Sequence, residues 1–334
     1  MLLSPLGWVY GKIADIRNTL YERGVLKSYD LGARTISIGN VTTGGTGKTP
    51  LVAYVAEILA DAGEKVCILT RGYGRQSSGR VLVSDGATVL VDARTGGDEP
   101  VELARKLIGK AIVVADADRV EAAAWAKETF GITAFVLDDG FQHRRAKRDL
   151  DIVCIDATNP FGNGGIVPGG ILRESLSNLN RADVFVITRS NLVSSTDEII
   201  EKLGQENSLT TIFESTFELR RVAKLDDPRS DIADRSRTFV FCAVGNPESF
   251  VSQIELEGFE VAGFRSFADH HDYSQNDIDQ VEIDARSKNA ISLITTAKDA
   301  VKLEGLKFEL PCYIAEGEVI INDSDRFRDL VLSA

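Results

Sequence analysis

Short apolar runs alternate with helical patterns through most of the chain. The run "TISIGNV" is followed by "KTPLVAYVAEILADAG", whose apolar residues recur at helical spacing and stop at a glycine, and then by the apolar run "KVCILT". Later runs of the same kind are "AIVVADA", "ITAFVLDDG", "LDIVCIDA" and "ADVFVITRS". This order predicts an α/β fold with a mostly parallel sheet covered on both faces, and a ligand site beyond the carboxyl ends of the strands.

A second series of strand-like runs follows a polar stretch. It contains "TFVFCAVGN", "EVAGFRSF", "AISLITTAKDA" and "LPCYIAE". A chain of 334 residues exceeds the usual size of one compact α/β domain, so we expect two domains. We expect an N-terminal helix over residues 1–24, a larger domain over 25–220 and a smaller α/β domain over 221–334, with the boundary between 215 and 235.

The stretch "GNVTTGGTGKTP" joins the first strand to the first helix of this series, which is the context of a phosphate-binding loop. Its departure from the usual pattern is Thr42, which stands in place of a glycine. Glycines let backbone N–H groups approach phosphate, while the lysine and threonine suit the β/γ-phosphates and Mg²⁺. We expect Thr42 to keep a negative φ and Gly44 and Gly45 to supply the flexibility. The predicted nucleotide site of this P-loop NTPase-like fold is Thr42, Thr43, Gly44, Gly45, Thr46, Gly47, Lys48, Thr49 and Pro50.

Two adjacent aspartates, Asp138 and Asp139, end the apolar run "AFVLDDG". A phosphate loop is normally accompanied by a magnesium-holding carboxylate at the end of a neighbouring strand. We therefore expect Mg²⁺ to be bound by Thr49 and by one of these aspartates. The pattern does not decide between the two.

Composition excludes several classes of protein. The net charge of −12 argues against a general nucleic-acid binder, and no run reaches the roughly 18 apolar residues that span a bilayer. The four cysteines lie far apart and form no CxxC pair, so we expect reduced core residues rather than a metal or redox site. With no signal peptide in the sequence, we expect a cytoplasmic protein.

The N-terminal segment "MLLSPLGWVYGKIADIRNTLYERG" has the pattern of one amphipathic helix, with Ser4 as a possible N-cap and Gly24 as a stop. Trp8 and Tyr10 suit the boundary between lipid headgroups and acyl chains. The helix either packs on the protein's own core or lies on a membrane surface, and the pattern leaves both open. Its predicted apolar face comprises Leu6, Val9, Ile13, Ile16 and Leu20.

The remaining polar clusters are individually uninformative. They are "TRGYGR", "GGDEP", "DADR", "FQHRR", "LRES" and "DHHDY". Taken together and in order with "GNVTTGGTGKTP", "LDDGFQHRRAKRDLDIV", "GNPESF" and "TTAKDAVKL", they resemble the tetraacyldisaccharide 4'-kinase family, also called lipid A 4'-kinases. The threonine at position 42 is itself part of that family's loop.

The resemblance implies two α/β/α domains with the site between them. It implies ATP- and Mg²⁺-dependent transfer of the γ-phosphate to the 4'-hydroxyl of a tetraacyldisaccharide 1-phosphate, a lipid A precursor. Because that acceptor is membrane-bound, the N-terminal helix would attach the enzyme to the cytoplasmic face of the inner membrane as a peripheral protein. We expect no nucleic-acid partner and no obligate protein partner.

The same resemblance implies the roles of individual residues. Asp98 would accept the hydroxyl proton with the help of His270, and Lys48 would neutralise the transferring phosphate. Glu174 would contact metal or nucleotide, although its surroundings depart from the family pattern at Gly169, Gly170 and Ser175. The candidates for binding the substrate phosphate or the transferring one are Arg71, Arg75, Arg119 and Arg173, and His143 is a further candidate for contact with the substrate.

Two other functions share some of these features. A P-loop ATPase or GTPase acting as a switch or metal-insertion chaperone would use the same loop, but its deviant members carry a lysine where this chain has Thr43. A membrane-peripheral binding protein, regulated by nucleotide but without catalysis, is the second alternative. Transfer of phosphate to a lipid disaccharide distinguishes both from a kinase.

Overall fold

The computed structural model describes residues 4–227, 230 and 235–334. Its strands are β1 Arg34–Asn40, β2 Val66–Thr70, β3 Val81–Ser84, β4 Ala111–Ala115, β5 Ala134–Asp138, β6 Leu150–Asp156, β7 Val184–Thr188, β8 Thr211–Lys224, β9 Thr238–Cys242, β10 Val261–Ser266, β11 Ser292–Thr296 and β12 Cys312–Ile321. Its α-helices are α1 Ser4–Glu22, α2 Lys48–Asp61, α3 Ala93–Gly96, α4 Asp98–Lys106, α5 Arg119–Phe130, α6 Asp197–Glu206, α7 Pro247–Leu256, α8 Gln275–Ser287, α9 Ala297–Ala300 and α10 Ser324–Ser333. Two 3-10 helices cover Leu176–Arg181 and Ser190–Leu192.

All the described strands join one sheet, in the order β10-β9-β11-β12-β8-β7-β6-β1-β5-β2-β4-β3. The β3–β4 and β8–β12 pairs are antiparallel, and the other neighbouring pairs are parallel. The central strands are buried along nearly their whole length, as expected when helices cover both faces. The predicted α/β fold with a mostly parallel sheet is confirmed.

Strand β8 links two parts of this sheet. Its first residues pair with β7, from Val184 opposite Thr211 onward, and its later residues pair with β12, ending at Lys224 opposite Tyr313. We call the strands on one side of β8 the phosphate-loop half, which comprises β7, β6, β1, β5, β2, β4 and β3. The strands on its other side, β12, β11, β9 and β10, form the second half. The expected boundary at 220/221 therefore falls inside a strand, and the sheet continues across it.

The C-terminal helix α10 packs on the phosphate-loop half. Its Phe327 is fully buried, with the ring centroid 6.1 Å from Tyr54 of α2 and 5.1 Å from Phe213 at the start of β8. The last helix of the predicted domain 221–334 therefore joins the core of the larger half. Aromatic packing, which the sequence pattern does not specify, draws it there.

Helix α1 packs through small residues and leaves its apolar stripe exposed. A Cβ placed on Gly7 would lie 2.4 Å from the carbonyl oxygen of Ile166, and one on Gly11 would lie 2.5 Å from Cδ1 of Ile166. The large side chains on the outside are 47% (Val9) to 66% (Trp8) exposed, and they include Leu6, Tyr10, Ile13 and Ile16. Four of the five residues of the predicted apolar face are therefore exposed, and Leu20 is half-buried. None of the helices within the described ranges is long and apolar enough to cross a bilayer.

Candidate active site

The loop after β1 has the backbone conformation of a phosphate-binding turn. Gly44 and Gly47 have φ values of 104° and 75°, which favour glycine, whereas Thr42 and Gly45 are not among the residues with positive φ. The expectation for Thr42 is met, and Gly47 rather than Gly45 is the second flexible position. Thr42 is buried, and Asn40 Nδ2 donates a hydrogen bond of 2.8 Å to its carbonyl oxygen. The loop thus tolerates a threonine where other phosphate loops use glycine.

The loop presents free donors and a lysine at the start of α2. Within the described part of the chain, no hydrogen bond is made by the N–H groups of Gly44–Gly47. Lys48 Nζ lies 3.2 Å from Asn40 Oδ1 and 3.6 Å from Asp139 Oδ1, and its side chain is mostly buried. Unpaired N–H groups, a helix N-terminus and an ammonium together form an anion site suited to phosphate.

The other side of the loop rests on residues that the sequence analysis did not single out. Thr188 Oγ1 and Arg189 Nη1 donate hydrogen bonds to the carbonyl oxygens of Thr46 (2.9 Å) and Gly45 (2.8 Å). Arg189 also pairs with Asp156, at the end of β6. Their position after β7 is the signal that could have identified them, because polar residues at strand carboxyl ends gather at one edge of a parallel sheet.

The second half covers the loop through Gly245, between β9 and α7. A Cβ on Gly245 would lie 2.3 Å from the nitrogen of Gly45, so only a glycine permits this approach of two backbones. Beside it, Asn246 Nδ2 donates to Asp156 Oδ2 (3.1 Å) and Thr158 Oγ1 (2.9 Å). The two halves are therefore in direct contact at the phosphate loop.

The paired aspartates after β5 have different partners. Asp139, at φ 52°, accepts hydrogen bonds of 2.8 and 2.7 Å from Arg173 Nη1. Burial raises the pKa of Asp139, but Lys48 and Arg173 outweigh it and the pKa lies below its usual range. Asp138 is buried and accepts a hydrogen bond from Thr70 Oγ1 at 2.9 Å; burial, with the charges of Glu99 and Asp139, raises its pKa to about 6. Asp138 is thus the carboxylate with less cationic compensation.

The predicted phosphate-binding residues divide into two groups. Arg71, Arg119, His143 and Arg173 line the central cleft. Burial and the nearby Arg119 and Arg148 lower the pKa of His143 to about 4, so its ring is neutral at physiological pH. Arg75 is outside the cleft lining, because its guanidinium donates to the carbonyl oxygens of Ala115 (3.1 Å) and Gly79 (2.6 Å). Arg75 holds the loop after β2 instead.

Glu174 is a structural junction rather than a free ligand. Its carboxylate accepts hydrogen bonds from Asn18 (2.9 Å), Gln142 (2.9 Å) and Arg181 (3.0 and 3.2 Å), and the residue is 2% exposed. With both oxygens occupied, Glu174 fits the expected metal-binding role poorly. Through Asn18 it anchors α1 beside the cleft instead.

Asp98 and His270 meet across the cleft. Asp98 begins α4 and is 5% exposed, and its two carboxylate oxygens lie 3.0 and 2.9 Å from His270 Nδ1. His270 comes from the second half and has a φ of 64°, a strained value that such sites concentrate. Oδ1 of Asp98 also accepts a hydrogen bond of 2.9 Å from Glu99 N–H. The pairing suggested by the resemblance is present.

Two lysines that follow β11 add positive charge to this pair. Lys302 Nζ lies 3.5 Å and Lys298 Nζ 4.0 Å from Asp98 Oδ2. Burial raises the pKa of Asp98, but the hydrogen bond from His270 and the two ammonium groups outweigh it, and its pKa is about 2. Burial lowers the pKa of His270, but Asp98 outweighs that effect and raises it. At neutral pH Asp98 is therefore ionised.

The cleft has a volume of about 1560 Å³. Besides the loop and His270, its lining includes Tyr10, Arg17 and Asn18 of α1. This volume is larger than that of a typical small-molecule site, so it has room for more than one ligand. No group of three His, Cys, Asp or Glu residues able to hold a metal occurs in the described ranges.

Comparisons with known proteins agree on one family. A family model for tetraacyldisaccharide-1-P 4'-kinase matches residues 1–334. The chain is 39% identical to the tetraacyldisaccharide 4'-kinase of Halothermothrix orenii over 90% of this chain and 82% of that protein, and 36% identical to that of Desulfotalea psychrophila over 99% and 96%. A crystal structure of LpxK from Aquifex aeolicus, described as an "apo" form in complex with ATP, matches 100% of this chain and 99% of its own with a TM-score of 0.78 and 31% identity. The chain belongs to the tetraacyldisaccharide-1-P 4'-kinase family and is a phosphotransferase.

Proposed function

We propose that this enzyme transfers the γ-phosphate of ATP to the 4'-hydroxyl of a tetraacyldisaccharide 1-phosphate, in the cleft between its two halves. The observation that carries the proposal is the contact of 2.9 Å between Asp98 and His270 across that cleft. It holds the imidazole of His270 against a buried carboxylate, and His270 lines the same cleft as the phosphate loop. The activity named for its relatives needs such a pair to handle the proton of an attacking alcohol.

The residues of the phosphate loop fit ATP with Mg²⁺. Unpaired N–H groups of Gly44–Gly47 would bind phosphate oxygens, and Lys48 would neutralise the β/γ charge. For the metal we favour Thr49 and Asp138, because Asp139 is already bound by Arg173. Bound Mg²⁺ would supply charge stabilisation to the transferring phosphoryl group.

The proton of the 4'-hydroxyl passes to His270 in this proposal. Because Asp98 holds Nδ1–H of the imidazole, Nε2 is the nitrogen that can accept a proton, and the ionised Asp98 stabilises the imidazolium that forms. A carboxylate with a pKa of about 2 is a weak proton acceptor at neutral pH. The roles expected from the resemblance are thus exchanged, with Asp98 as the orienting group.

The acceptor would lie between the basic wall of the cleft and α1. Arg71, Arg119, Arg173 and the neutral His143 line that wall and suit the 1-phosphate of the disaccharide. The adjoining α1 exposes an apolar stripe that includes Trp8, and such a helix lies in the interfacial plane of a membrane. An exposed stripe next to the cleft supports binding to the cytoplasmic face of the inner membrane while the headgroup enters the site.

The pH dependence of transfer tests the assignment of the base. We expect kcat/KM, measured with ATP and acyl disaccharide in mixed micelles, to fall at acid pH as His270 becomes protonated. This fall, the acid limb of the profile, should lie at a higher pH than for an ordinary histidine, because Asp98 raises the pKa of His270. Asp98→Asn should lower kcat by about 10²- to 10⁴-fold and move this acid limb to lower pH. His270→Asn should lower kcat similarly and remove the limb, while both variants keep the ATP affinity.

The matched control is His271→Asn, the same substitution at the adjacent residue, which pairs with Asp277 outside the cleft lining. It should retain kcat near that of the parent. If the parent shows no acid limb above about pH 5, Asp98 rather than His270 is the base. If ATP turnover is unaffected by any acylated disaccharide, the kinase proposal itself fails.

A further inference from the structure

The segment "TTAKDAVKL" contains a lysine that neither the phosphate loop nor the acceptor site uses. Lys302 has a side chain only 7% exposed, with Nζ 3.5 Å from Asp98 Oδ2 and 3.3 Å from Asp299 Oδ1. Its ammonium also lies 5.4 Å from the centroid of the Tyr273 ring. A long cationic side chain is rarely buried unless its charge is compensated, and here two carboxylates from different halves compensate it.

Asp299 connects this ammonium to the cover of the phosphate loop. It is fully buried, and its Oδ2 accepts hydrogen bonds from the N–H of Ala243 (3.0 Å) and from Thr296 Oγ1 (2.7 Å). Ala243 begins the short segment that leads to Gly245, whose backbone rests on Gly45 of the phosphate loop. One path of contacts therefore runs from the phosphate loop through Asp299 and Lys302 to the dyad.

We propose that Lys302 is a positioning residue for phosphoryl transfer: its buried ammonium, held by Asp299, fixes the Asp98 carboxylate against His270 when the two halves meet. The inference rests on the function proposed above for Asp98 and His270. Lys302 itself contacts neither nucleotide nor acceptor in this arrangement, and it is outside the cleft lining.

The neighbouring Lys298 does not fill the same role. Its Nζ lies 2.8 Å from Asp269, 3.3 Å from Glu99 and 4.0 Å from Asp98, so its charge is shared among several acids. Lys302 is closer to Asp98, and Asp98 is its partner from the phosphate-loop half. Opening the cleft would separate the two and leave Lys302 with Asp299, so the ion pair favours the closed state in which the dyad is assembled.

The first test removes the positive charge of Lys302 and keeps a side chain of similar length. Lys302→Met should lower kcat by about 10- to 100-fold, because small misplacements of a catalytic pair are costly, while KM for ATP stays near its parent value. Lys302→Arg keeps the charge and should recover most of the lost kcat. Lys307→Met, the same change at an exposed lysine five residues later, is the matched control and should leave kcat unchanged.

The pH profile separates positioning from general support of the fold. Asp98 faces His270, Lys298, Lys302 and the N–H of Glu99, while His270 faces Asp98, Asp269, Lys298 and the Tyr73 ring. Removing one cation from this group makes protonation of His270 easier. The acid limb of kcat/KM should therefore move to higher pH in Lys302→Met and stay in place in Lys302→Arg. A loss of stability alone would not move the limb upward.

A double variant guards against misfolding. Lys302→Met leaves Asp299 as a buried uncompensated charge, so Lys302→Met/Asp299→Asn removes both charges and keeps an oxygen for the N–H of Ala243. It should fold and still show the lowered kcat. The inference is overturned if kcat per folded molecule and the acid limb match the parent in both variants, or if Lys302→Arg shifts the limb as Lys302→Met does. If Asp98→Asn retains the kcat of the parent, the proposed Asp98–His270 dyad is wrong. If Lys302→Met retains the parental kcat while Asp98→Asn loses it, the dyad stands and only the inference about Lys302 is wrong.

Discussion

Gly245 allows a direct test of whether the halves must close on the phosphate loop. In Gly245→Ala, the new Cβ would lie 2.3 Å from the nitrogen of Gly45 and 3.0 Å from two backbone atoms of Gly44, whereas ordinary contacts begin near 3.4 Å. The two backbones must therefore separate by about 1 Å. The φ of Gly245 is not in the left-handed region, so alanine is otherwise acceptable there.

A displacement of this size should lower kcat by about 10²-fold, because near-attack geometry is lost when reacting groups move by about 1 Å. This corresponds to about 2.7 kcal/mol of activation free energy. The melting temperature should change little, because the clash is between the backbones of two loops and removes no buried apolar side chain. ATP should still bind, because Gly44–Gly47 and Lys48 belong to the other half.

The assay is steady-state transfer of labelled phosphate from ATP to an acyl disaccharide in mixed micelles, with thermal unfolding measured in parallel. The matched control is Gly204→Ala, inside α6, where a Cβ meets no atom within 4 Å. It should leave kcat unchanged and stabilise the fold by up to about 1 kcal/mol. A Gly245→Ala enzyme with kcat within twofold of the parent would refute the idea that this contact forms during catalysis.

Three further predictions concern other parts of the molecule. Phe327→Ala should lower the free energy of unfolding in urea by about 3–5 kcal/mol, because the buried ring of Phe327 joins α10 to the larger half. Phe264→Ala, at an exposed phenylalanine, should lower it by about 1 kcal/mol or less, and equal losses in the two variants would contradict this packing. The double variant Ile13→Glu/Ile16→Glu should weaken binding to anionic vesicles in a sedimentation assay by roughly 3 kcal/mol, because two exposed apolar side chains no longer insert into the membrane. Unchanged binding would contradict the membrane role of α1. Glu174→Gln should raise KM for the lipid acceptor, because it weakens the hydrogen bonding that attaches α1 through Asn18. The Mg²⁺ concentration for half-maximal rate should stay unchanged, and a large rise in that concentration would indicate that Glu174 is a metal ligand.

Local patterns predicted the strands and the phosphate loop well. The strands that end at Asp138 and Thr188 are buried, and the residues that follow them, Asp139 and Arg189, line the cleft. Their signal is strong because a strand buried on both faces must be continuously apolar, and its polar end residue then stands out. The boundary was less predictable, since β8 is mostly half-buried and continues across both parts of the sheet.

Roles that depend on partners distant in sequence could not be read from the chain. Two residues look like ligand-binding residues in the sequence, Arg75 of "RGYGR" and Glu174 of "LRES". In the structure their hydrogen bonds are made to other groups of the protein. Lys302, by contrast, looked ordinary and meets Asp98 from a position about 200 residues away. A charged side chain announces its chemistry but not its partner.

The sequence by itself determined the α/β class, the phosphate loop and, through the family resemblance, the kind of reaction, because these depend on periodicity and on contiguous motifs. Only the tertiary structure decided how the halves meet. The 14 residues of β8 carry one sheet through both halves, so the loop at Gly245 reaches Gly45 and His270 reaches Asp98. Packing and electrostatic compensation act between residues far apart in the chain, and for that reason they fix the final role of each polar side chain.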